Sequence, residues 1–178
     1  MFVLSGPGGA RAVVEAGAAG PSIAGPSLPA TVAPASGGIP YGTYQWPVHG
    51  AVIRPFEQPA GPFSAGHRGI DIAAPFGTPI RAPADGTVSF AGAVAGALFI
   101  SIDHAAGIRT SYSWVSEISV TKGRSVRAGD VIGKTGQGHP GSDRPHLHFS
   151  ARLDGTYIDP MLLLGGGNLD DLIHLAPS

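Results

Sequence analysis

The sequence predicts an all-β fold, mostly antiparallel and built from β-hairpins, and three observations carry that expectation. From Val52 to Leu164 the chain runs in short β-rich stretches broken by Gly and Pro, among them GTVSFAG, ALFISIDH, IRTSYSWV, VIGKTG and HLHFSARL. Turn dipeptides such as Asp85-Gly86 and Lys122-Gly123 separate them at the close spacing of a sandwich or barrel. No segment sustains an apolar repeat of helical period over three turns, so alternating β and α units are not expected.

In chain order, the 178 residues allow one domain of ordinary size. Residues 1–43 are dominated by Gly, Ala, Pro and Ser, as in GPSIAGPSLPATVAPASGG, and read as a disordered linker with little to bury. Aromatic residues cluster at Tyr44 and Trp46, which opens a domain over 44–165; residues 166–178 form a polar tail carrying His174. Within the domain, GTPIRAPADGTV and GRSVRAGDVIG echo one another, a β-residue and a turn in each, which suggests a duplicated β-unit.

Composition excludes several function classes. Eleven basic residues face 12 acidic ones without runs of either sign, and nucleic-acid binding needs a clustered basic footprint. With no cysteine, neither a disulfide framework nor a thiolate metal site is possible, so any metal must be held by His and carboxylates. No stretch is long and apolar enough to span a bilayer as a helix. Met1–Leu4 is too short for the core of a signal peptide and no basic leader precedes it, so an export signal is not visible in this sequence.

The chemistry concentrates in two motifs. HRGID places His67 and Asp71 four residues apart. On a straight strand their Cα atoms would lie about 13 Å apart, too far for one metal with bonds near 2 Å. A helix would bring them together, but Gly69, Ile70 and Pro75 disfavour one, so a bend at Arg68-Gly69 is expected to fold His67 back toward Asp71. In HLH, His146 and His148 share one face of a strand, roughly 6.5 to 7 Å apart, while Leu147 and Phe149 point to the core. One of them can ligate while the other stands a water's reach away. His67, Asp71 and one of the HLH pair make three N/O ligands, the number typical of a catalytic zinc site with an open position.

Together with WPVHG, HRGIDIAAPFGTPIRAPADGTV, SIDHAAGIRTSY, VTKGRSVRAGDVIGKTG, PHLHF and YIDPMLLL, these motifs resemble the lysostaphin/LytM-type zinc peptidases from Trp46 to Leu164. The resemblance implies β-hairpins around a central antiparallel sheet, with an open groove for a peptide. It implies Zn2+ on His67, Asp71 and His148, with His146 beside the attacking water as general acid/base. It further implies a metalloendopeptidase acting on peptidoglycan peptides in an extracytoplasmic setting.

Two positions depart from the family's pattern. Where the family carries a second active-site His two residues after the Tyr matched by Tyr112, this chain has Trp114, which offers one N–H and no titratable nitrogen. If Trp114 and Tyr112 share a strand face, both can contact substrate or a developing oxyanion, but Trp114 cannot accept a proton. Loss of a general acid/base costs about 100- to 10,000-fold in rate, so a catalytically weak domain that binds cell wall or regulates another hydrolase is the alternative. Ser150 stands where the family usually has Glu.

The remaining histidines read more plainly. His104 is expected to be a hydrogen-bonded structural residue, and His49 and His174 to be solvated. His139, in QGHPGSDRP beside the groove, is expected to be exposed more readily than to contact substrate. A phosphocarrier or lipoyl-like domain would account for the Gly-punctuated β-units but not for HxxxD with HLH.

Overall fold

Alternation along the central strands sets the architecture. The computed structural model describes residues 40–61 and 64–165. HLHFSARL forms β9 (His146–Leu153), in which Leu147, Phe149 and Ala151 are buried in the core and His148, Ser150 and Arg152 take the opposite face. In β5 (Ala97–Asp103), Ile100 and Ile102 fill the core; in β6 (Ile108–Ile118), Ile108, Thr110 and Tyr112 do so. Truncating a fully enclosed side chain such as Phe149 to Ala should cost about 3–5 kcal/mol, transfer energy plus cavity.

The remaining elements are β1 (Val52–Arg54), β2 (Ile70–Ala73), β3 (Pro79–Arg81), β4 (Gly86–Val94), β7 (Ser125–Val126), β8 (Val131–Thr135), β10 (Thr156–Ile158) and the short helix α1 (Met161–Leu164). Strand order is β1-β2-β9-β6-β5-β4-β7, with β10 on β9 and β8 joining β3 to β6. Each pairing is antiparallel, which agrees with the expected fold class.

The echoed segments pair with each other. β3 of the first pairs with β8 of the second, and β4 of the first with β7 of the second. Between them, Ala82 N–H donates to the Asp130 carbonyl (2.9 Å) and Gly129 N–H to the Ala82 carbonyl (2.8 Å). The duplication thus appears as reciprocal strand exchange.

Two strands laid end to end create the gap that becomes the site. β9 and β8 both run antiparallel to β6, the first through Ser113↔His148 and the second from Val115↔Thr135. Trp114 falls at the seam and lies opposite no residue of β5, where the register jumps from Phe99↔Ser113 to Leu98↔Val115. It is a β-bulge with φ at +55°. Residues 136–145 connect β8 to β9 across that seam.

Pro40–Thr43, which composition assigns to the linker, form a turn. Gly42 N–H and Tyr44 N–H donate to the carbonyls of Leu162 (2.9 Å) and Leu163 (3.0 Å), two of the α1 carbonyls that lack partners within the helix. The expected disorder of residues 1–39 and the expected polar tail at 166–178 lie outside the described residues.

Candidate metal centre

His67 and Asp71 meet because the chain turns between them. His67 makes an isolated bridge with Glu57, while Asp71 lies in β2 directly opposite His148 of β9. The expected bend is at Arg68-Gly69. Gly69 is required by close approach: a Cβ there would lie 2.5 Å from the Phe149 carbonyl oxygen and 2.9 Å from His148 Nε2.

The result is a triangle of electron-rich atoms. His148 Nδ1 lies 2.8 Å from Asp71 Oδ1, His67 Nε2 lies 3.2 Å from the same oxygen, and the two ring nitrogens are 3.1 Å apart. A tetrahedral zinc with bonds of 2.0–2.1 Å separates its ligand atoms by about 3.3 Å, so this donor set fits such an ion after a small expansion. His67 Nδ1–H donates to the Pro55 carbonyl at 2.6 Å, which fixes the tautomer that presents the Nε2 lone pair inward.

Asp71 is 2% exposed. Burial alone would raise its pKa, but the His148 and His67 imidazoles beside it hold the carboxyl well below the usual carboxylate range. On its other side, His139 Nε2 lies 3.3 Å from the second carboxylate oxygen, Oδ2.

His146 is oriented but not satisfied. Its Nδ1–H donates to the Arg144 carbonyl (2.9 Å), with Ser142 Oγ 3.1 Å away, so the ring presents an Nε2 lone pair. That Nε2 is buried, has no hydrogen-bond partner and lies 3.8 Å from Asp71 Oδ1. Gly138 supports the ring from behind: its φ is +92°, and a Cβ there would lie 2.1 Å from His146 Cε1.

Two sequence expectations change here. Tyr112 does not share a face with Trp114. The bulge at Trp114 breaks the alternation, leaving Tyr112 fully buried beside Phe149 with its hydroxyl 3.0 Å from Thr110 Oγ1, out of reach of any substrate. Trp114 does face the cluster, its ring centroid 5.7 Å from that of His148 and 5.6 Å from that of His139. His139 is the other change. The Gly-bounded loop carries it inward, its ring 4.8 Å from that of His146. The signal for it was Gly138-His139-Pro140-Gly141 just ahead of PHLHF, a loop flanked by residues suited to a tight path.

Beside the cluster, the open face of the sheet forms a groove of about 320 Å³. Ser111, Ser113 and Ser150 give it a hydroxyl floor next to His148, and Phe90, Val94 and Phe99 an apolar wall. A hollow of about 400 Å³ at the far end of the sheet, around Asp103, Arg109 and Asp154, holds none of the clustered histidines.

The chain shares this fold with known peptidases. It is 27% identical to the antimicrobial peptidase lysostaphin from Staphylococcus simulans, with a TM-score of 0.60 over 79% of this chain and 60% of that one. A zinc-containing peptidase from Vibrio cholerae superposes with a TM-score of 0.58 at 27% identity, over 68% of this chain and 40% of the other. In sequence, the chain is 45% identical over 96 residues to the DD-carboxypeptidase/endopeptidase Mpg of Neisseria meningitidis, which covers 53% of this chain and 22% of Mpg. The chain spans from about a fifth to about half of the curated relatives it matches. The model of peptidase family M23 matches residues 65–160, more than half of the chain and all of the segment from His67 through β10. With that match over the histidine cluster and the antiparallel sheet beneath it, the chain belongs to peptidase family M23.

Proposed function

We propose that this protein is a zinc-dependent endopeptidase that hydrolyses peptide bonds in peptidoglycan, outside the cytoplasm where that polymer lies. The observation that carries the proposal is the convergence of His67 Nε2, Asp71 Oδ1 and His148 Nδ1, each within 3.2 Å of the other two. These three residues would hold the ion. When bound, zinc polarises the scissile carbonyl and makes water a stronger nucleophile near neutral pH.

The chain's own residues do the rest. His146 Nε2, buried and unpaired, accepts a proton from the attacking water and returns it to the leaving nitrogen. Its Nδ1–H bond to the Arg144 carbonyl holds the ring in the tautomer that can do so. The groove holds the peptide, its serine hydroxyls suited to backbone amides and its apolar wall to a side chain. Trp114 stands beside His148, with an indole N–H but no base to offer.

Trp114 also favours a second reading, a cell-wall-binding domain with weak or no hydrolysis. Digestion of purified sacculi separates the two. Peptidase activity releases new amino groups in proportion to zinc-loaded protein, whereas a binding module sediments with the sacculi and releases none. Among the described residues, no helix is long and apolar enough to cross a membrane.

A further inference from the structure

We propose that His139 is a catalytic residue of this site, supplying from the 136–145 loop the second imidazole that the Trp114 position lacks. The inference rests on the peptidase reading above and assigns a role to a residue outside the HxxxD and HLH motifs.

Three observations converge on His139. The first is position. Its Nε2 lies 3.3 Å from Asp71 Oδ2, the carboxylate oxygen turned away from His67 and His148. Its ring stands edge-on to His146 at 4.8 Å and to Trp114 at 5.6 Å. The second is tautomer. His139 Nδ1 faces the Pro140 carbonyl at 3.1 Å and its Nε2 the Asp71 carboxylate at 3.3 Å; both only accept, so once an ion takes up the Asp71 charge the neutral ring keeps its proton on Nδ1 and its lone pair at Nε2. His146 is set in the same way, its Nδ1–H on the Arg144 carbonyl and its Nε2 unpaired. Two imidazole lone pairs therefore face the region beside Asp71, and a water has two hydrogens to give.

The third observation is that the loop is built to place the ring. Its first residue, Gly136, packs so closely on the bulge that a Cβ would lie 2.1 Å from the Trp114 carbonyl oxygen. At the far end, Ser142 N–H donates to the His139 carbonyl at 3.2 Å, while Ser142 Oγ reaches His146 Nδ1 at 3.1 Å. The bulge at Trp114, the loop and the HLH strand are thus tied together. The indole fills the space over the seam, and the imidazole enters from the loop.

In the reaction, the attacking water donates one hydrogen to His146 Nε2 and the other to His139 Nε2. As the new C–O bond forms, the carbonyl π pair moves to its oxygen and one proton passes to His146. That proton moves to the amide nitrogen as the C–N bond breaks, giving a carboxylic acid and an amine. His139 keeps its hydrogen bond throughout, orienting the water's remaining lone pair at the carbonyl carbon. Its side chain is 26% exposed, against 1% for His146.

The test uses the full chain, zinc and purified sacculi, with His139→Ala, His139→Gln, Trp114→His and the double variant His139→Ala/Trp114→His. His139→Ala should lower kcat about 100-fold with KM nearly unchanged. Zinc affinity, read by competition with a chromophoric chelator, should be unchanged. His139→Gln, whose amide oxygen can accept, should recover part of the loss. In the double variant, Trp114→His should restore at least about tenfold over His139→Ala, because an imidazole again reaches the water. Wild-type rates in His139→Ala would overturn the proposal and leave the peptidase reading intact. Loss of zinc in His139→Ala would overturn it by making His139 a ligand. A zinc-loaded wild type that is silent until Trp114→His wakes it would also overturn it, while upholding the peptidase site. Silence in every variant would overturn both readings.

Discussion

Two histidine networks are buried in this sheet, and they are finished in opposite ways. At one end, His104 Nδ1–H donates to the Asp85 carbonyl (2.8 Å), Thr110 donates to His104 Nε2 (2.8 Å), and Tyr112 donates to Thr110 (3.0 Å). Each proton there has an acceptor and each acceptor a proton, with a neutral imidazole in the middle. Burial lowers the His104 pKa and raises that of the Tyr112 hydroxyl, so both remain uncharged. Around Asp71 the balance is reversed: the Nε2 lone pairs of His67, His139 and His146 converge on a carboxylate, with Nδ1 of His67, His139 and His146 tied to backbone carbonyls. A buried polar network that closes on itself stabilises a fold, whereas one left rich in lone pairs needs a cation and a proton-donating substrate to complete it. The difference between the two is the physical basis for calling one structural and the other functional.

Removing a corner of the triangle should have the largest effect. His67→Ala, Asp71→Ala and His148→Ala should each lose most bound zinc, which metal analysis after dialysis would read, and hydrolysis of sacculi should fall to background. His146→Ala should keep about one zinc per chain and lose about 100- to 10,000-fold in kcat. If His146→Ala lost the metal and His148→Ala kept it, the roles within HLH would be exchanged.

The closed network should respond in stability alone. His104→Ala leaves the Thr110 hydroxyl and the Asp85 carbonyl without their partner, which should cost about 1–3 kcal/mol in denaturant unfolding. Zinc content and kcat should stay at wild-type values. The smallest expected effect is a pH dependence with a definite sign. Because burial depresses the folded-state pKa of His104 below its usual 6.5, the unfolded chain binds the proton more readily. The His104 contribution is fully present above about pH 6.5 and is lost as pH falls through the depressed value. Thermal midpoints of wild type and His104→Gln should therefore run parallel above that pH and converge below it. Parallel curves down to pH 4 would show that His104 does not titrate with unfolding.

Sequence reasoning reached the parts of this molecule where period decides the outcome. Alternation in HLHFSARL placed Leu147 and Phe149 inside and His148 outside, and Gly69 with its β-branched neighbour required a turn instead of a helix between His67 and Asp71. The same reasoning put Tyr112 on the wrong face, since a period of two assumes an unbroken strand and the bulge at Trp114 adds a residue. His139 was hidden for another reason. Its place depends on β8 and β9 lying end to end along β6, a long-range pairing that carries the 136–145 loop over the bulge. Nothing local to QGHPGSDRP encodes that neighbour, although its glycines mark a path close to other atoms.

The most direct measurement is an anomalous difference map at the zinc edge, from crystals grown with about one equivalent of zinc per chain. A single peak bonded to His67 Nε2, Asp71 Oδ1 and His148 Nδ1, with His139 and His146 standing off it, is the expected result. A peak held instead by Asp71, His139 and His146, or no ordered ion at this cluster, would contradict it.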